Sequence, residues 1–210
     1  MRDCLRLDFD FRCVYCLSAE GEVGPLARYG GFEVEHFKPK SKFRELRHAY
    51  RNLLWACAEC NRAKGGRWPT PELRAAGNFF VDPTLAGLGK HLELDGTSSV
   101  GYKTQAGWYM IQQLNLNSEL HRRRRATRHE NLKKYALVTS VVEAQQRRID
   151  GLAASGVDVG VERQLLEARK ADLKRIEAAL RPDAPHDAPT VCVACNPGKP
   201  RVDRFAQLEP

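Results

Sequence analysis

No stretch of 18 consecutive apolar residues occurs in the chain, so a membrane-spanning helix is not expected. An export leader is not expected either: Met1-Arg2-Asp3-Cys4-Leu5 carries charge where a leader would be apolar, which places the protein in the cytoplasm. No repeat recurs at a fixed period, which argues against a solenoid or propeller. Aromatic residues are sparse at 8%, and acidic residues are in deficit, 26 against 34 Lys and Arg. The net charge of +8 and pI of about 9.2 favour an anionic partner, nucleic acid first. What remains describes a soluble globular protein. Its 210 residues, 42% hydrophobic and 29% charged, suffice for one or two small domains with cores.

Cysteine is the informative residue. Six of the seven stand in Cys-x-x-Cys pairs: Cys13/Cys16, Cys57/Cys60 and Cys192/Cys195, with Cys4 left over. That pattern fits metal binding better than a disulfide framework. The first two pairs offer four thiolates, which is the tetrahedral set Zn2+ takes, although two separate redox pairs or buried thiols would share the spacing. Forty residues separate the two pairs, so something else must fold between them. Four Cys leave no open position for water, so such a zinc would be structural. Cys192 and Cys195 cannot close a tetrahedron alone and read as an unliganded or redox-labile pair.

Between and after the pairs, patterning predicts the elements. Alternating Leu5, Leu7, Phe9 and Phe11 suggest a short strand. Ser18 to Gly31 reads as a loop. Phe32-Glu33-Val34-Glu35-His36 alternates as a strand, ended by Pro39. Lys38 to Ala49 is a basic loop, Asn52 to Ala56 a second strand, and a helix begins near Asn61 and stops at Gly65-Gly66. Gly77 to Gly101 is loop-rich. Gln105 to Leu114 has helical spacing, with Trp108, Ile111 and Leu114 on one face. Leu120 to Ile149 and Val161 to Leu180 are two long amphipathic helices around a break at Gly151 to Gly160, an expected antiparallel hairpin. A Pro-rich tail follows. The domain reading is residues 1–77, a zinc-stapled module; 78–118, a loop-rich extension and short helix; 119–181, the hairpin; and 182–210, an irregular tail.

Charge and chemistry converge on the first module. Lys38 to Arg67 holds nine Lys or Arg and two Glu, so almost the whole net charge lies beside Glu35-His36. Phosphodiester hydrolysis needs a base, a divalent cation and cations for the strand. His36 has a base's pKa range. Glu35 and Asn61 offer oxygen ligands suited to Mg2+ or Mn2+. Asn52 can fix the orientation of the imidazole. Lys38, Lys40, Lys42, Arg62, Lys64 and Arg67 are the expected phosphate contacts. His48, His91, His121, His129 and His186 read as ordinary structural residues. Arg122 to Arg125 reads either as a solvated helix surface or as a phosphate-tracking patch.

The combination Cys13-x-x-Cys16, Glu35-His36, Asn52-Leu53 and Cys57-Ala58-Glu59-Cys60-Asn61-Arg62-Ala63-Lys64-Gly65 resembles HNH endonucleases of the ββα-metal (His-Me finger) class, in the subtype stapled by a four-Cys zinc. The resemblance covers residues 12 to 68. It implies an α+β fold: a small ββα-metal module, then a mainly α-helical C-terminal region with a long helical hairpin. It implies that His36 is the general base, that Glu35 and Asn61 ligate one catalytic Mg2+ or Mn2+, and that Asn52 steadies the His36 loop. Many members carry Asp where this chain has Glu35, and His where it has Asn61; both replacements keep a ligand atom.

A looser similarity extends further. Phe80-Val81-Asp82-Pro83, His91-Leu92-Glu93-Leu94-Asp95-Gly96 and Gln113-Leu114-Asn115-Leu116-Asn117 look similar to the region behind the nuclease module in HNH subunits of bacterial anti-phage systems, the Septu type and related retron effectors. That similarity implies phage or plasmid DNA as target and an ATPase subunit as partner. The expected function is metal-dependent DNA cleavage. An inactive zinc-stabilised binding subunit and an RNA-cleaving enzyme are the alternatives.

Overall fold

The computed structural model describes residues 1–23, 31–85, 87–96 and 98–180. Cys192, Cys195, His186 and the Pro-rich tail lie outside them. Two compact units divide the described chain, Met1–Ala126 and the unit from Thr127 onward. No described helix is long and apolar enough to cross a membrane. The architecture is α+β, with a small strand and helix region first and a mainly helical remainder.

The N-terminus is a helix, α1 (Arg2–Asp8), and not the strand its alternation suggested. Leu5 and Phe9 are spaced one helical turn apart, and both are buried in the core of the first unit, so the 3.6-residue period wins over the period of two. Asp10 and Phe11 then turn the chain through positive φ, at 52° and 56°. The Cys13–Cys16 knuckle follows, closed by Cys13 N–H on the Ser18 carbonyl at 2.9 Å. A short helix α2 (Glu20–Val23) comes next.

Two strands, β1 (Phe32–His36) and β2 (Leu53–Cys57), pair antiparallel with Val34 opposite Trp55 and His36 opposite Leu53. Alternation then puts Phe32, Val34, His36, Leu53, Trp55 and Cys57 on one face. Glu33, Glu35, Leu54 and Ala56 share the other. Cys57 caps α3 (Ala58–Lys64), which starts three residues before the expected Asn61. It packs on both strands and completes a ββα unit. Gly65 ends it at φ 50°. A helix α4 (Pro71–Ala75) follows, with Thr70 as N-cap.

A second antiparallel pair, β3 (Leu92–Leu94) and β4 (Val100–Tyr102), packs on α5 (Gln105–Leu114). Their approach needs Gly107, because a Cβ there would lie 2.0 Å from the His91 carbonyl oxygen. The buried residues of α5 are Ala106, Gly107, Tyr109, Met110, Ile111 and Leu114; Trp108, grouped with Ile111 and Leu114 from its spacing, is 39% exposed.

The last helices are α6 (Glu119–Ala154) and α7 (Gly160–Leu180). The break between them is shorter than the sequence suggested, since Gly151 stays helical. Gly156, at φ 78°, stops α6. Its N–H bonds the Ala153 carbonyl at 3.0 Å, and Val157 N–H bonds that of Leu152 at 3.1 Å, the paired closure of a Schellman motif. In the second unit Val142 and Ile149 of α6 bury against Val159 and Leu166, a seven-residue spacing on both sides.

Candidate active site and metal cage

The four sulfurs of Cys13, Cys16, Cys57 and Cys60 are buried and lie within 4.8 Å of one another. No disulfide joins them. Cys16 and Cys57 sulfurs are 3.7 Å apart. Two sulfurs bound at ~2.3 Å on corners of one zinc tetrahedron would sit ~3.8 Å apart, so the spacing is that of a zinc site. Protons are shared unevenly: hydrogen bonds from Cys13, Cys57 and Cys60 draw Cys16 well below the usual thiol range, while Cys57 and Cys60 are pushed up. A buried group of sulfurs this close needs a cation to become four thiolates. Both the donor chemistry and the spacing fit a structural zinc.

His36 ends β1, half-buried. Its Nε2 lies 3.0 Å from the Arg47 carbonyl oxygen. A carbonyl only accepts, so Nε2 carries the proton and Nδ1 presents the lone pair. Burial lowers the pKa of His36; nearby Lys40, Lys64 and Arg47 lower it further, and the Arg47 carbonyl opposes them. The neutral ring, the form that can accept a proton, is therefore favoured near neutrality.

Asn52 is buried at the base of the loop after His36. Its Oδ1 accepts from Lys38 N–H at 2.8 Å, and its Nδ2 donates to the carbonyls of Lys38 at 3.0 Å and Leu46 at 3.2 Å. These bonds go to backbone, not to the imidazole. They clamp the loop at the residue before Arg47, whose carbonyl holds His36.

Glu35 and Asn61 both meet at the α3 face of the hairpin, each with a partner of its own. Asn61 Nδ2 donates to Glu33 at 2.5 Å on the exposed side. Glu35 is buried and ion-paired with Lys64, which also donates to the His36 carbonyl at 2.8 Å. Burial pushes the Glu35 carboxyl up, and Lys64 opposes it; burial likewise lowers Lys64, and Glu35 opposes it. Lys64 is 0% exposed, so it is not the phosphate contact the sequence suggested. Its charge is spent on Glu35. The spacing carried a signal for this that sequence reasoning missed. Glu33 and Glu35 are two apart on a strand, Asn61 and Lys64 three apart on a helix, and both pairs therefore present one face.

The other basic positions divide. Lys40, Lys42, Arg62 and Arg67 are exposed, as are Arg44, Arg47 and Arg51. Lys38 is half-buried, with its ammonium 5.5 Å from the Phe43 ring centre. The arginine run is largely committed to protein: Arg123 pairs with Glu119, Arg124 with Glu59, and buried Arg125 donates to the Ser98 and Leu116 carbonyls. Trp55 is fully buried and donates to Glu20 at 2.8 Å.

This ββα unit, with its histidine, asparagines and cysteine cage, coincides with one known family. Residues 13–67 match the family model described as HNH endonuclease. They form an HNH endonuclease domain. No curated protein and no solved structure matches the chain. The HNH domain thus holds every residue expected for catalysis and for zinc, and α1 and α5 pack against it from outside the match.

Proposed function

We propose that the HNH domain hydrolyses phosphodiester bonds of DNA with His36 as general base. The observation that carries this reading is the imidazole itself: Nε2 anchored on Arg47, Nδ1 unprotonated, and a lowered pKa. Nδ1 takes the proton of a water, and the hydroxide attacks phosphorus opposite the leaving 3′ oxygen. Asn52 keeps the ring's acceptor in place through the Leu46 carbonyl. Lys40, Lys42, Arg62 and Arg67 hold the strand by its phosphates, with Lys38 at their margin.

Oxygen donors suited to Mg2+ or Mn2+ gather on the α3 face, from Asn61, Glu33 and Glu35. Asn61 and Glu35 would hold the ion once Lys64 releases the Glu35 carboxylate. The ion would stabilise charge on the phosphate and leaving oxygen. One observation favours a second reading, a binding subunit without catalysis: Lys64 already neutralises Glu35. Plasmid, single-stranded DNA and RNA assayed side by side with Mg2+ and with Mn2+ separate the readings. Cleavage of DNA supports the first; no cleavage with either ion supports the second; cleavage of RNA alone replaces the substrate.

We further read the chain as the nuclease effector of an anti-phage system with an ATPase subunit. The motifs at Phe80–Pro83, His91–Gly96 and Gln113–Asn117 support it. So do the exposed Leu137, Val161 and Leu165, which give the helical hairpin apolar surface for docking. Co-purification with an ATPase encoded beside it is expected; its absence would remove this part of the proposal.

A further inference from the structure

An alternating ladder of rings and cations starts one residue beyond His36. Lys38 holds its ammonium 5.5 Å from the Phe43 ring centre. Phe37 and Phe43 both meet Trp68 edge-on, each with ring centres 5.4 Å apart. Arg74 lies over Trp68, its guanidinium carbon 5.5 Å from the ring centre and 6.0 Å from that of Phe79. Three chain segments build the ladder. Lys42 and Phe43 N–H both bond the Pro39 carbonyl at 2.9 Å, which folds Phe43 back toward Trp68. Thr70 caps α4, the helix that carries Arg74. Asn78 N–H bonds the Leu73 carbonyl at 2.8 Å and closes α4 next to Phe79.

The ladder is not sealed into the core. Phe43, Trp68 and Phe79 are half-buried, and Arg74 is exposed. Arg123 and Arg124 spend their charge on glutamates, but the side-chain partners of Arg74 among the described residues are the two rings alone. The Trp55 indole N–H is spent on Glu20, whereas that of Trp68 has no partner among the described residues. Exposed cations flank the rings in the chain, Lys42 next to Phe43 and Arg67 next to Trp68. Unpaired bases stack on aromatic rings and on guanidinium planes, while neighbouring cations take the phosphates. We propose that Arg74 and Trp68 form a stacking platform for an unpaired base of single-stranded DNA beside the phosphate that His36 attacks. Bases within a duplex are already stacked on both faces and offer this platform only phosphates. The inference rests on the HNH domain taking DNA, as proposed above, and not on cleavage.

The test is equilibrium binding by the zinc-loaded full chain without Mg2+ or Mn2+. The probes are a thymine strand of about 12 nucleotides, the same strand with abasic sites, and its duplex. Wild type should bind the thymine strand at least ~5-fold tighter than the abasic strand, the lower end of what stacking one base contributes. Arg74→Lys keeps the charge and loses the plane. It should lose most of that preference, while its binding to the abasic strand and the duplex, and the salt dependence, stay those of wild type. Equal wild-type affinity for the thymine and abasic strands overturns the proposal and leaves the DNA reading standing. An Arg74→Lys loss of the same size on all three probes also overturns it, since Arg74 would then act on phosphate alone. Wild type binding none of the probes removes the DNA reading and the platform with it. A uracil ribo-strand bound more tightly than the thymine strand overturns the choice of DNA. If Arg74→Lys lowers the unfolding midpoint, the wild-type comparison of thymine and abasic strands decides.

Discussion

Replacing Lys64 by Met removes the only cation paired with Glu35 among the described residues and tests whether the buried pair organises the site. Lys64 is 0% exposed and Glu35 4% exposed, so water cannot replace the lost ammonium. Removing one member of a buried ion pair costs about 3–5 kcal/mol, because the other charge stays behind unpaired. The lost bond to the His36 carbonyl lies within that figure. The assay is urea unfolding in zinc-saturated buffer at pH 7, followed by tryptophan fluorescence. Trp55, Trp68 and Trp108 all lie in the first unit, so the signal reports that unit alone. Glu35→Leu/Lys64→Met should be more stable than Lys64→Met, since no charge is left buried. The pH response has a definite sign. Burial raises the Glu35 pKa in the folded state, and without Lys64 only the hydrogen bonds from the His36 backbone and Tyr15 oppose it. A raised folded pKa favours folding as pH falls, so the deficit of Lys64→Met should shrink from pH 7 to pH 5. A Lys64→Met protein within ~1 kcal/mol of wild type at pH 7, below the cost of a broken buried pair, would refute the reasoning.

Three further outcomes are expected. Metal analysis should find one zinc per chain, lost in Cys13→Ser/Cys57→Ser together with the fluorescence transition of the first unit; retention of zinc would remove the cage. Asn52→Ala should cost about 2–4 kcal/mol for its three hydrogen bonds and lower kcat more than it raises KM, since the loop holding Arg47 is released; unchanged kcat would separate Asn52 from His36. The acidic limb of the pH profile of kcat/KM should fall below pH 6.5, the ordinary histidine value, because burial and nearby cations lower His36; a limb above it would contradict the tautomer and its surroundings.

The zinc cage, the hairpin and the long helices were legible because each rests on a local signal: paired cysteines, period-two alternation, period-3.6 stripes. The N-terminal helix was misread because Leu5 and Phe9 satisfy both periods in so short a segment, and only burial against β2 separates them. Lys64 was misread for a different reason. A lysine among exposed cations looks like a phosphate contact until α3 is laid on β1, which turns it inward to Glu35. The contact of the His121 ring with Cys60 was out of reach altogether, since 61 residues separate them and no periodicity links them. Tertiary placement, not composition, decides which charges face water.

The account turns on His36 as base. Plasmid nicking by the full chain in Mg2+ or Mn2+, compared with His36→Ala of equal zinc content and equal unfolding midpoint, tests it most directly. Loss of a general base costs roughly 10²–10⁴-fold in rate, so nicking by the variant should fall by at least ~10²-fold while its DNA binding is unchanged. A His36→Ala protein that cuts at the wild-type rate would contradict the account.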